Sequence, residues 1–155
     1  MGFEIEGVEK FAASIDALIA LVEKATLGAV VEGASLIETK AKRNFFGQHP
    51  PGTPRPDAGA GVPRPYAVTE NLKQSIGRHP QMPEKIGRGV YRQSVYPTMA
   101  YARRVELGFI GTDSLGRDYT NPGQPAYPYL KPAVRDSLPQ LKNIFEFYWN
   151  RAMKE

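Results

Sequence analysis

Between His49 and Pro65 the chain reads His-Pro-Pro-Gly-Thr-Pro-Arg-Pro-Asp-Ala-Gly-Ala-Gly-Val-Pro-Arg-Pro. Proline lacks an amide donor and fixes φ, and glycine carries the largest backbone entropy, so this stretch forms neither a helix nor a central strand. It divides the sequence into an N-terminal part and a longer C-terminal part that must build the core together. We read residues 47–68 as an extended arm, partly polyproline II, or as a linker inside a single domain spanning 1–155. The length suits one domain.

N-terminal to this segment, Phe3 to Glu6 alternates apolar and acidic residues, as a short edge strand would. From Val8 to Phe46 the spacing turns helical. Val8, Phe11, Ile15, Leu18 and Ile19 recur at three- and four-residue steps, and Val22, Ala29, Gly33, Leu36, Ile37 and Ala41 continue the series. A pattern this long predicts two helices, broken near Asp16–Ala20 or Thr26–Gly28. Gly28 and Gly33 each cost about 1 kcal/mol relative to alanine in a helix. Close approach of another backbone is the usual compensation. Lys40, Lys42 and Arg43 suit the negative end of the helix dipole.

C-terminal to the segment, Thr69 to Ile76 predicts a helical turn with Thr69 as N-cap, leading into a strand. Gly89 to Pro97 is the clearest strand, with Val90, Arg92, Ser94 and Tyr96 on one face and Tyr91, Gln93 and Val95 on the other. Both faces are mixed, so the strand is expected to be half buried. A short helix follows over about 98–107, with Tyr101 and Val105 on one side and Gly108 as its stop. Phe109 to Gly123 is rich in turn formers and reads as a hairpin tip. Leu130 to Met153 is amphipathic. Pro132 suits a first turn, whereas Pro139 should kink the helix near Arg135. Ile144, Phe145, Phe147, Tyr148 and Trp149 place apolar surface on more than one side, which suggests a partner.

The sequence holds little that resembles catalysis. It contains no cysteine and two histidines, which removes disulfides and thiolate zinc sites. His49 and His79 sit beside prolines without an acid pair. There is no phosphate-binding glycine loop, no His-Glu-x-x-His and no Gly-x-Ser-x-Gly. Glu106, Asp113 and Asp118 could supply oxygen ligands to a hard cation, but turn-forming aspartate is the commoner use. No enzymatic activity and no cofactor are expected. The first residues lack the pattern of a signal peptide, and the apolar runs are too short to span a bilayer, so a soluble chain is expected. The net charge of +4 is carried by scattered basic residues rather than a dense stripe. The DNA-facing candidates are Arg88, Arg92, Arg103, Arg104 and Arg135.

The ordered strings resemble a family, the small neck or tail-completion proteins of long-tailed bacteriophages. Ile5-Glu-Gly-Val-Glu-Lys-Phe11 resembles the family's opening, and Ile37 to Phe45 its long alanine-lysine helix end. Thr69-Glu-Asn-Leu-Lys-Gln-Ser-Ile76 is similar to its Thr-Gly-Asn-Leu-Arg-x-Ser-Ile string, with Glu70 where a glycine is usual. Tyr101 to Gly108 matches Tyr-Ala-x-x-Val-Glu-x-Gly, and Gln124 to Ala133 matches Gln-Pro-Ala-x-Pro-Tyr/Phe-Leu-x-Pro-Ala. The long Pro/Gly segment departs from the short connection of many members. Glu70 makes the local turn costly, since glycine takes positive φ freely and glutamate does not.

The resemblance implies an α+β fold, with a small, mostly antiparallel sheet packed against a long N-terminal helix and a C-terminal helix. It implies a structural virion protein made in the host cytoplasm. This protein would form a homo-oligomeric ring, hexameric or dodecameric, at the head–tail junction, in a neck, tail-completion or tail-terminator role. Its partners would be further copies of itself, neighbouring neck and tail proteins, and the phage DNA non-specifically, with no membrane. A closing ring needs two complementary patches per subunit. The candidate interface residues are Tyr101, Val105, Glu106, Gly108, Pro125, Tyr127, Tyr129, Phe147 and Trp149. Two other readings compete: a DNA-contacting accessory protein with a basic surface, and a small metal-dependent hydrolase.

Overall fold

The computed structural model describes residues 7–45, 65, 70–120 and 123–154. The expected strand at Phe3 to Glu6, Thr69 and nearly all of the Pro/Gly arm lie outside the described residues. The order of elements is α1 (Val8–Arg43), α2 (Asn71–Ser75), β1 (Ile76–Gly87), β2 (Val90–Pro97), α3 (Ala102–Leu107) and α4 (Leu130–Ala152). The fold is α+β: a two-stranded antiparallel sheet and α4 both pack on the long α1.

The two helices expected from Val8 to Phe46 are one continuous helix of 36 residues. At 1.5 Å per residue α1 is about 54 Å long. No proline interrupts it, and its two glycines are matched by α4. A Cβ on Gly28 would strike the Tyr148 ring, and one on Gly33 would lie 2.7 Å from Leu141 Cδ2. The glycines, with buried Ala25, Ala29 and Ala34, leave room on α1 for large α4 side chains, so what approaches Gly28 and Gly33 is a side chain and not the expected second backbone. These contacts, with Lys40 Nζ donating to the Asp136 carbonyl, set α4 antiparallel to α1.

The strands pair from Ile76↔Pro97 to Gly87↔Val90, with irregularities between His79 and Glu84 and between Lys85 and Gly87. Pro80 and Pro83 fall in the first irregular stretch, where a missing amide donor breaks no regular ladder bond. β2 alternates exposed and half-buried residues along its whole length, as its mixed faces predicted. Ion pairs fasten the hairpin to α1. Lys85 Nζ lies 2.8 Å from both Glu23 carboxylate oxygens, and Glu38 receives Lys42 at 2.6 Å and Arg78 at 3.1 Å. Burial raises the Glu38 pKa, but Lys42 and Arg78 outweigh it and hold the carboxyl below its usual range.

α2 starts at Asn71 behind Glu70, which adopts φ 58 and makes no side-chain cap. A residue other than glycine thus occupies the left-handed position. α3 begins at Ala102, later than the sequence suggested, because a turn over Met99–Tyr101 precedes it, with Ala102 N donating to Met99 O. Pro139 lies inside α4, which continues through it to Ala152.

Candidate functional site

The segment from Tyr101 to Val134 forms a corner that joins α3 to α4. α3 stops at Gly108, with φ 79. A Cβ there would meet Gln124 O at 2.9 Å and Ala126 N at 3.1 Å. This glycine is therefore required both for its backbone angle and for the close passage of the returning strand. Phe109 and Gln124 exchange backbone hydrogen bonds of 2.9 and 2.8 Å, and Tyr127 N donates to Val105 O at 2.7 Å. The chain thus leaves α3, makes a loop and returns along it before α4 begins.

Glu106 closes the corner. Its Oε2 accepts from Tyr129 N at 2.8 Å and Leu130 N at 3.0 Å, and its Oε1 from Lys131 N at 2.9 Å. One carboxylate thereby satisfies three of the amides that a helix N-terminus leaves open, at the positive end of the dipole. α4 has no cap from its own N-cap residue, Tyr129, so the cap arrives from α3.

Tyr129 is 0% exposed and stands at the centre of a cluster with Ala41, Phe45, Leu72, Ile76, Ala102 and Ala133. Its ring centroid is 5.0 Å from that of Phe45, and Asn44 Nδ2 donates to its carbonyl at 2.8 Å. Burial, with the neighbouring Glu106 and Tyr101, raises the phenol pKa well above its usual value. The end of α1, α2, the start of β1, α3 and the start of α4 therefore contribute to one cluster with Tyr129.

The loop within the corner is organised by Asp113. Its side chain is 2% exposed and pairs with Arg117 at 2.6 Å and Arg104 at 3.3 Å. It also accepts from the amides of Leu115 and Arg117 at 2.9 and 3.0 Å. Burial raises its pKa, but these donors outweigh it and hold the carboxyl far below the normal range. Asp118 accepts from the amide and hydroxyl of Thr120, both at 2.9 Å. Asp113 and Asp118 act as turn organisers and Glu106 as a helix cap. Among the described residues, no three His, Asp or Glu side chains gather where they could hold a metal ion.

The expected interface residues fall into two groups. Tyr127 and Tyr129 are buried within this chain, and Tyr101, Val105, Glu106 and Gly108 are half-buried in its corner. Pro125, Phe147 at 60% and Trp149 at 48% are exposed. The corner thus orients α4, and Phe147 and Trp149 of α4 stay exposed.

The expected DNA-facing arginines are spread over the hairpin, α3 and α4. Arg92 pairs with Glu84 at 2.7 Å, Arg135 with Asp136 at 2.9 Å and Arg104 with Asp113. Arg104 also lies 5.3 Å from the centroid of the Phe109 ring. Arg88 and Arg103 are exposed. His79 packs on Tyr96 with centroids 4.3 Å apart, and His49 lies outside the described residues.

Sequence reasoning missed one surface. Every residue from Gly7 to Leu18 is exposed, so the apolar stripe Val8, Phe11, Ile15 and Leu18 lies over no core. The stripe has the same phase as buried Ala25, Ala29 and Gly33, but α4 ends at Ala152, opposite Ala25 and Gly28. The first turns of α1 therefore project about 20 Å past the body. The signal was present as a change of size along the stripe, from large residues before Val22 to alanine and glycine after it.

Comparison with protein-family models, with curated proteins and with solved structures finds no match.

Proposed function

We propose that the protein is a structural component of a tailed-phage virion, assembling as a ring at the head–tail junction. The observation that carries this reading is the amount of large apolar surface left open on separate faces of a small chain. Phe11, Ile15 and Leu18 are exposed on the projecting end of α1, Leu138, Phe147 and Trp149 on α4, and Leu107, Ile110 and Leu115 around the corner loop. Patches of this extent mark interaction surfaces. Because they lie on different elements, they suit the two unlike contacts per subunit of a closing ring. The site at the head–tail junction is supported by the order of the sequence strings and by the use of two of them, Tyr101–Gly108 and Gln124–Ala133, to fix the direction of α4.

The test is the solution mass by light scattering, with electron microscopy of the assembled protein and pull-downs against neck and tail-tube proteins. A closed oligomer that binds these partners is expected. A strict monomer that binds none of them refutes the proposal. Phe147→Asp should lower the assembled mass while leaving the melting temperature of the subunit nearly unchanged, because its side chain is mostly in solvent.

A further inference from the structure

The sheet holds only β1 and β2, so β2 has a second edge. Among the described residues, no backbone group of another element bonds to residues 90–96. Thr98 N donates to Ser75 O at 3.2 Å, one step beyond the Ile76↔Pro97 pair. Bonded and non-bonded pairs alternate along an antiparallel ladder, so Tyr96 and Ser94 turn their amides and carbonyls toward β1. The same alternation turns those of Val95, Gln93 and Tyr91 outward. An open row of this kind is a template for another strand.

The two outer edges of the hairpin are unlike. β1 carries the devices that keep strands from adding. Pro80 and Pro83 lack a donor, and Arg78, Glu84 and Lys85 bring charge. The surplus residues of the irregular pairing also lie on its side, with five steps from His79 to Glu84 against two from Ser94 to Arg92. β2 is regular, holds no proline before Pro97 and carries one charge, Arg92. Protection of one edge alone marks the other as the edge that is covered in the assembled protein.

The sequence of β2 says which strand fits there. Set antiparallel to its own copy about Gln93, Val90 falls opposite Tyr96, Tyr91 opposite Val95, and Arg92 opposite Ser94. Aromatic and β-branched residues pair favourably across strands, and like charges directly opposite do not. This register has the first at both ends and none of the second. Moving the axis to Arg92 would face that arginine with itself. Moving it to Ser94 would set outward-turned Tyr91 against Pro97, which has no amide donor.

We infer that β2 pairs antiparallel with β2 of a second copy of this chain about Gln93, joining two hairpins into one sheet of order β1-β2-β2-β1. Tyr91, Gln93 and Val95 of the two copies exchange about six backbone hydrogen bonds. The contact is isologous, unlike the two contacts of a closing ring, and does not rest on the virion reading.

The chain has no cysteine, so an engineered disulfide reports the register. Val90 and Tyr96 of opposite copies would stand about 4.5 Å apart at Cα, within disulfide reach. The two copies of Val90 would be about 20 Å apart, as would those of Tyr96 and the two positions within one strand. Full-length Val90→Cys/Tyr96→Cys should therefore give a covalent dimer on mild oxidation, and neither single variant should. A double variant that stays uncross-linked overturns the inference. Single variants that cross-link equally well overturn it too, because another register or contact is then in use.

A second measurement separates pairing from folding. Ser94 is exposed and falls opposite Arg92 of the second copy. In sedimentation equilibrium, Ser94→Glu should tighten the dimer and Ser94→Lys should loosen it, each by about fivefold, with unchanged far-ultraviolet circular dichroism. Equal dissociation constants for the two variants overturn the inference. A parent chain that stays monomeric at all concentrations leaves the edge to a different protein and also overturns it. The cross-linked dimer without affinity for neck or tail proteins would leave this contact standing and refute the virion reading.

Discussion

Replacing Glu106 tests whether the corner is held by one carboxylate. In Glu106→Ala the amides of Tyr129, Leu130 and Lys131 lose their acceptor. Tyr129 is buried, so its amide is poorly placed to recruit water, and an orphaned donor of that kind costs about 1–3 kcal/mol. Lys131 is exposed and Leu130 half-buried, so water can replace the acceptor there at roughly 0.5 kcal/mol each, the low end of the cap range. Loss of an anion at the helix N-terminus adds about 0.3–1 kcal/mol. The sum is about 2–5 kcal/mol, or a fall in melting temperature of roughly 5–20 °C for a chain of this length. Glu106→Gln keeps one acceptor oxygen but turns an amide donor toward a backbone N–H, so it should fall between the parent and the alanine variant. Thermal and urea unfolding would read both. An alanine variant within about 0.5 kcal/mol of the parent, the range of an ordinary surface substitution, would refute the cap. If that variant also lost assembled mass, Glu106 would act at a subunit interface, as the sequence first suggested.

The two helix glycines should respond differently to alanine. At Gly28 the new methyl meets the ring of Tyr148, which Glu32 holds at its hydroxyl. Overpacking there should cost about 1–3 kcal/mol. At Gly33 it meets only the tip of Leu141, which can move, so the gain in helix propensity of about 1 kcal/mol should largely survive. Equal melting temperatures for the two variants would contradict the packing described for the seam. Asp113 has its pKa lowered on folding, so its contribution is fully present above the unfolded value of about 3.9 and is lost as pH falls below that toward the folded pKa. The amide resonances of Leu115 and Arg117 should therefore titrate with a midpoint clearly below 3.9, and a midpoint at or above it would refute the network. Pro139→Ala restores a backbone donor within α4 at an exposed position. It should stabilise the chain by up to about 3 kcal/mol, and a destabilised variant in calorimetry would show that proline is needed there.

What the sequence determined by itself is what neighbouring residues decide. The apolar spacing from Val8 and the lack of proline up to Arg43 dictate helix. Alternation dictates β2, and Gly108 dictates the end of α3, because each follows from backbone dihedrals and donors within a few residues. Glu70 at positive φ was legible only through the resemblance, in which a glycine is usual at that position. Tertiary structure decided the rest, because the determining partners are far away in the chain. Gly28 and Gly33 break nothing, since Tyr148 and Leu141 arrive from α4 to fill the space above them. Pro80 and Pro83 are tolerated in β1 because the pairing with β2 turns irregular where they lie. Glu106 and Tyr129 look like surface groups in a joining motif, and only the return of the chain past Val105 makes one a cap and the other the centre of the core. Periodicity marks which residues of α1 share a face, but not where that face loses its cover. That depends on where α4 stops, and it leaves Val8, Phe11, Ile15 and Leu18 outside the body.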